Sequence, residues 1–124
     1  MTFLDTSVII DFLAGDPRVV AIVKEIFNKE DVKTTTITEY ELLRHKATIK
    51  KQAAERFLSA VIVCSFDREA AKKAAMLFEE LQDSGRMMNE NDLLIAGIAL
   101  AHDEVLLTRD QKLARIGKDK IRTV

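Results

Sequence analysis

Apolar positions along the chain fall into two alternating rhythms. Short runs rich in aliphatic and β-branched residues stand at Met1–Leu4, Val32–Ile37, Val61–Cys64, Val105–Thr108 and Ile121–Val124. Their length, bounded by turn-forming residues, predicts strands, the last of them at a sheet edge. Between them apolar residues recur every three or four positions, as on one side of a helix. Helices are predicted over Val8–Leu13, from Pro17 onward, and over Glu39–Lys46, Lys50–Ala60, Arg68–Asp83, Leu93–Ala101 and Asp110–Ile116. The helix after Pro17 carries Val19, Val20, Ile22, Val23, Ile26 and Phe27 as its stripe. Ala53, Ala54, Phe57 and Leu58 form the inner face of the fourth helix, and Ala71, Ala74, Ala75, Phe78 and Leu81 that of the fifth. Leu93–Ala101 is apolar on every side, which marks a buried helix.

Punctuation agrees with this division. Thr6 and Ser7 suit the N-cap of the first helix, and Asp67 that of the fifth. Ala14-Gly15-Asp16-Pro17 is a helix stop followed by a restart, and Ser84-Gly85 closes the long helix. Strands alternating with helices predict an α/β fold with a mostly parallel sheet of four or five strands and right-handed crossovers.

Composition narrows the setting. At 124 residues, 48% hydrophobic and 31% charged, the chain reads as a single globular domain over residues 1–124. A net charge of −1 gives no global basic field. The lone Cys64 forms no internal disulfide and suits a reducing compartment. No apolar run approaches the roughly 20 residues that span a bilayer, and acids stand where a signal peptide needs basic residues. The expectation is a cytoplasmic protein with no membrane association.

Four acids then stand out at strand ends or helix starts: Asp5, Glu41, Asp92 and Asp110. Each has a structural explanation. Thr38-x-x-Glu41 matches a capping box, Asn89-x-x-Asp92 imitates one, Asp110 can cap its own helix, and Asp5 can be a turn residue. Together they say more. In a parallel sheet all four point to one edge, the edge where ligands bind. Converging carboxylates repel unless a cation neutralises them. Hard oxygen donors select Mg²⁺ or Mn²⁺, ions suited to phosphoryl chemistry.

With these residues in place, the chain resembles a PIN-domain ribonuclease, most closely the toxin of a VapBC-type toxin–antitoxin pair. The resemblance spans essentially the whole length. It rests on Phe3-Leu4-Asp5-Thr6-Ser7, on Ile37-Thr38-Glu39-Tyr40-Glu41-Leu42-Leu43-Arg44, on Asn91-Asp92-Leu93-Leu94-Ile95-Ala96 and on Leu106-Leu107-Thr108-Arg109-Asp110. It implies a PIN-like three-layer α/β/α sandwich. Asp5, Glu41 and Asp92 match the family's metal-binding acids, and Asp110 its fourth, more variable one. Thr6, Ser7 or Thr108 would steady the site through hydroxyl groups. The implied activity is a Mg²⁺- or Mn²⁺-dependent endoribonuclease that leaves a 5′-phosphate and a 3′-hydroxyl on RNA. The implied partners are a cognate VapB-type antitoxin, whose C-terminal segment fills the groove, and a second copy in a homodimer. Where many relatives have glycine after Glu-Leu-Leu-Arg, this chain has His45. Glu39 is a second candidate glutamate, but two residues apart on a helix it cannot share a face with Glu41.

Other polar residues carry less. His45 and His102 lack metal-ligand spacing and are expected on the surface, while Cys64 closes an apolar strand and is expected in the core. Arg44, Lys46, Lys50 and Lys51 form one basic group. Arg109, Lys112, Arg115, Lys118, Lys120 and Arg122 form another, six cations against Asp110 and Asp119, a local balance of +4. Either is a solvated face or a track for a phosphate backbone beside the acids. The alternatives are a PIN nuclease of RNA maturation or decay without an antitoxin, an acyl-phosphate phosphatase or receiver-like domain, and a binding module with a dead site. A haloacid-dehalogenase-type phosphatase wants Asp-x-Asp after the first strand, where this chain has Asp5-Thr6-Ser7. A receiver wants a phosphorylatable aspartate after a middle strand, which here ends in Cys64-Ser65.

Overall fold

Among the described residues, parallel pairing joins five strands in one sheet, in the order β3-β2-β1-β4-β5. They are β1 (Thr2–Leu4), β2 (Val32–Thr35), β3 (Ile62–Cys64), β4 (Val105–Thr108) and β5 (Ile121–Thr123). The helices between them are α1 (Thr6–Leu13), α2 (Pro17–Lys29), α3 (Thr36–Leu43), α4 (Thr48–Ser59), α5 (Arg68–Asp83), α6 (Glu90–Ala101) and α7 (Gln111–Ile116). This computed structural model describes residues 1–44, 48–86, 88–116 and 119–124, with 48–50 as backbone only. His45, Lys46 and Lys118 therefore lie outside the described residues. Among the described residues no helix is long and apolar enough to cross a membrane.

Alternation along β1 sets the layers. Phe3 faces one side of the sheet, packed with Ile95, Ile98, Leu106 and Leu113, and α5, α6 and α7 cover that side. Leu4 faces the other, packed with Val8, Val19, Val23, Leu42 and Phe57 from α1–α4. The chain steps from β1 to β3 in one direction along the sheet, then returns past β1 to β4 and β5. Right-handed crossovers in opposite directions must use opposite faces, and the result is the expected three-layer α/β/α sandwich. The strand order reverses between β1 and β4, and the crevice beyond their carboxyl ends is where such sheets bind ligands.

Several local expectations shift. The first helix begins at Thr6 with Asp5 as its N-cap, because Asp5 Oδ1 accepts the Thr6 N–H at 2.8 Å. Thr6 and Ser7 are thereby released from capping. Similarly β2 stops at Thr35, whose hydroxyl accepts the Thr38 N–H at 3.0 Å and starts α3 earlier than the β-branched run suggests. The Thr38–Glu41 capping box is thus overturned: Thr38 lies inside the helix. Asn89 does cap α6, through its own side chain and the Asn91 N–H.

On α5 the buried positions are Ala70, Ala74, Leu77 and Leu81, while Ala71, Ala75 and Phe78 are exposed. The helix carries two apolar stripes, and close contact with α6 decides between them. At Gly97 of α6 an added Cβ would lie 2.7 Å from the Ala70 carbonyl oxygen and 2.9 Å from Ala74 Cβ. Only the Ala70–Ala74 side lets the two backbones approach so closely. Cys64 is half-buried on its edge strand rather than fully in the core, and His102 is exposed as expected.

Candidate active site at the carboxyl edge of the sheet

Asp5 leaves the end of β1 and is 3% exposed. Its backbone N–H donates to Leu107 O at 2.9 Å, continuing the β1–β4 ladder by one residue. Its carboxylate is almost fully engaged. Oδ2 accepts the Thr108 hydroxyl at 2.7 Å and the Ser7 hydroxyl at 3.0 Å, and Oδ1 accepts the Thr6 N–H. Burial pushes the Asp5 carboxyl up from its ordinary value, and the charge of Glu41 adds to that; the three hydrogen bonds from Thr108, Ser7 and Thr6 oppose it.

Glu41 reaches the same edge from the second turn of α3. Its Oε1 accepts the Thr6 hydroxyl at 2.7 Å. Thr6 Oγ1 also lies 3.0 Å from Thr38 Oγ1, and Thr38 Oγ1 lies 3.2 Å from Thr35 Oγ1. A row of hydroxyls therefore joins the ends of β1 and β2 beneath Glu41. Thr35 and Thr38 are fully buried. The sequence hides their role, since Thr34-Thr35-Thr36 reads equally well as β-branched strand filler.

Asp92 lies in the first turn of α6. Partial burial first, then the charges of Asp5, Asp110 and Glu41, push its carboxyl up to about 6. Asp92 thus feels the charge of the other three acids. Asp110 also caps α7, with Oδ1 accepting the Lys112 N–H at 2.9 Å. Asp110 thus serves its own helix, and its charge also reaches Asp92. Among the described residues, no three histidine, cysteine or acidic side chains are placed so that together they could hold a metal ion. Two carboxylates are turned toward internal donors instead: Asp5 toward its hydroxyls and Glu41 toward Thr6. The donor set is carboxylate oxygen, which fits a hard divalent cation.

The basic track divides. Arg109 is committed to structure: its Nε lies 3.0 Å from Asp11, its second terminal nitrogen 3.8 Å from Asp16, and its first donates to Val124 O at 3.3 Å. Lys120 precedes β5, so it sits at the opposite, amino edge of the sheet, 3.5 Å from Asp103. Lys112 and Arg115 on α7 are exposed, and the Lys112 N–H is bonded to Asp110. Arg44 lies 4.0 Å from Glu41 and stacks over Tyr40.

A parallel sheet with acids gathered at its switch point defines an acid-centred α/β domain. The chain belongs to the PIN-domain family, whose pattern matches residues 2–119. It is 29% identical to Ribonuclease VapC19 of Mycobacterium tuberculosis over 109 residues, 87% of either chain. Its fold matches VapBC2 from Rickettsia felis bound to a promoter DNA fragment, with a TM-score of 0.86, 22% identity and coverage of 99% of this chain and 98% of that one. DNA-bound VapBC from Salmonella typhimurium matches with a TM-score of 0.84, 25% identity and coverage of 98% and 96%.

Proposed function

We propose that the chain is a Mg²⁺- or Mn²⁺-dependent endoribonuclease, the toxin of a toxin–antitoxin pair, with Asp5, Glu41, Asp92 and Asp110 holding the cation. The observation that supports this reading is the setting of Asp92, whose carboxyl is raised to about 6 first by partial burial and then by the charges of Asp5, Asp110 and Glu41. Clustered carboxylates cost stability, and they persist in a fold when a cation is to be bound there. A divalent cation there supplies positive charge for a phosphodiester transition state and makes a water more acidic. The chain's own residues do the positioning. Thr108 and Ser7 hold Asp5 in one rotamer, Thr6 aims Glu41, and Lys112 and Arg115 offer charge to the RNA backbone.

The similarity to VapC19, a ribonuclease by name, supports RNA as substrate. The fold shared with VapBC complexes supports a small VapB-type antitoxin as partner. The exposed apolar side chains Phe66 and Phe78, which border one groove with Leu93 and Leu94, are what a protein-covered face carries, whether by antitoxin or by a second copy.

The test is incubation of purified protein with single-stranded RNA in Mn²⁺, in Mg²⁺ and in chelator. Cleavage is expected with metal only, and is expected to vanish in Asp5→Asn. Glu41→Gln is expected to cost far more activity than Glu39→Gln. Full activity in chelator, or in Asp5→Asn, overturns the metal reading.

A further inference from the structure

A cavity of about 260 Å³ opens between the end of α5, the connection leading into α6, and α7. Leu81, Met88 and Ile116 give it an apolar floor, and Arg86, Lys112 and Arg115 stand around it. The floor is continuous with the core on that face of the sheet. The three cations are exposed, and among the described residues none forms an ion pair. Among the described residues no acid lines the cavity.

Two of its lining residues adjoin acids in the chain. Met88 precedes Asp92 by four residues, and the Lys112 N–H is bonded to Asp110. The volume lies just under the ~300 Å³ at which small-ligand pockets begin, so it suits one small group and not a length of polymer. A bare anion needs no apolar floor, and an apolar group needs no three cations. A nucleotide needs both, because it carries a flat base and a phosphate on one scaffold, and guanidinium groups serve either part.

We propose that this cavity is a subsite for one nucleotide of the RNA strand flanking the cleaved bond. The base lies on Leu81, Met88 and Ile116, and its phosphate is held by Arg86, Lys112 and Arg115. The proposal rests on the endoribonuclease reading and adds to it where the strand leaves the acids.

The experiment measures fluorescence anisotropy with two probes of equal length in chelator: a labelled single-stranded RNA and its abasic sugar-phosphate counterpart. Wild type is first shown to cleave the RNA in Mn²⁺. The Arg86→Gln/Arg115→Gln variant changes only exposed side chains. It is expected to bind both probes about tenfold more weakly through lost charge-assisted bonds. Its salt slope is expected to fall by about 0.7, the value of one single-strand phosphate. Met88→Ala is expected to weaken binding of the RNA and leave the abasic probe unchanged. If wild type cuts RNA but the double variant binds both probes as wild type does, the subsite is wrong and the nuclease reading stands. If Met88→Ala weakens both probes alike, the base is not on this floor and the proposal fails. If wild type neither binds nor cuts RNA, the nuclease reading falls and takes the subsite with it.

Discussion

Thr108 and Asp5 stand 103 positions apart in the chain, and the Thr108 hydroxyl donates to Asp5 Oδ2 at 2.7 Å in a buried site. Parallel pairing of Leu4 with Leu107 brings them together. The direction of the bond is fixed from behind. Thr108 Oγ1 accepts the Asp110 N–H at 3.0 Å, so its proton turns to the carboxylate. Ser7 repeats the device, accepting the Arg109 N–H at 3.1 Å and donating to the same oxygen. One loop after β4 thus orients both hydroxyls that hold Asp5.

Thr108→Val keeps the shape and removes the donor. Leaving a buried acceptor short of a partner costs about 1–3 kcal/mol. The bond lowers the Asp5 pKa, so losing it raises the folded value further. A raised folded pKa makes the penalty largest above that value and smaller as pH falls toward the unfolded one. Denaturant unfolding in chelator is expected to show a larger loss near neutral pH than at mildly acidic pH. A loss independent of pH contradicts this account of the bond.

Asp92 makes a sharper pH prediction. Its folded pKa of about 6 stands above the ordinary 3.8, so the native state binds more protons than the unfolded chain between those values. Metal-free protein is therefore expected to gain stability as pH falls from neutral through about 6 toward the ordinary carboxylate range. Asp92→Asn is expected to flatten that gain and to melt at or above wild type in chelator. Excess Mn²⁺ is expected to stabilise wild type, by about 2.7 kcal/mol at one hundred times its dissociation constant, and the variant by less. If Asp92→Asn melts several degrees lower in chelator and Mn²⁺ leaves wild type unmoved, Asp92 is a helix-start residue and not a ligand.

The sheet and its parallel sense were legible in the sequence, and so were the acids whose charges reach Asp92. The strands follow from local pattern, a short apolar run ending in a polar residue, and Asp5 and Asp110 from their places just after β1 and β4. What escaped depends on contacts between distant segments. The buried face of α5 is chosen by Gly97 of another helix, and two apolar stripes look alike until that helix is in place. Thr35 and Thr38 count as strand and cap by propensity, and only the approach of Thr6 makes them part of a hydroxyl row. Arg109 reads as a free cation because its acids, Asp11 and Asp16, are nearly a hundred positions earlier.

That clasp separates Arg109 from its neighbours on α7. Arg109→Gln is expected to leave the salt slope of RNA binding unchanged and to lower stability by about 1 kcal/mol or less, because the pair is about one-third exposed and screened. Lys112→Gln is expected to leave stability nearly unchanged and to reduce the slope by up to about 0.7, one phosphate's worth that it shares with Arg86 and Arg115. Melting temperatures and a salt titration of RNA affinity for both variants check this. A slope change in Arg109→Gln equal to that in Lys112→Gln returns Arg109 to the RNA track.

Gly97→Ala sets two effects of opposite sign against each other. Alanine is the better helix former by ~0.8–1 kcal/mol, which favours the variant. Against it, the new methyl group would sit 2.7 Å from the Ala70 carbonyl oxygen, a backbone atom inside α5. A side chain can swing aside, but this carbonyl moves only if the helix does. Overpacking of this kind costs about 1–3 kcal/mol, so the net expectation is destabilisation. The site is expected to suffer as well, because α6 carries Asp92 in its first turn and must shift to relieve the clash. Cleavage in Mn²⁺ is therefore expected to drop at temperatures where the variant is still fully folded by circular dichroism. A variant that melts at or above wild type with full activity would mean the α5–α6 contact is looser than this geometry, and that Asp92 is held by something other than the close approach at Gly97.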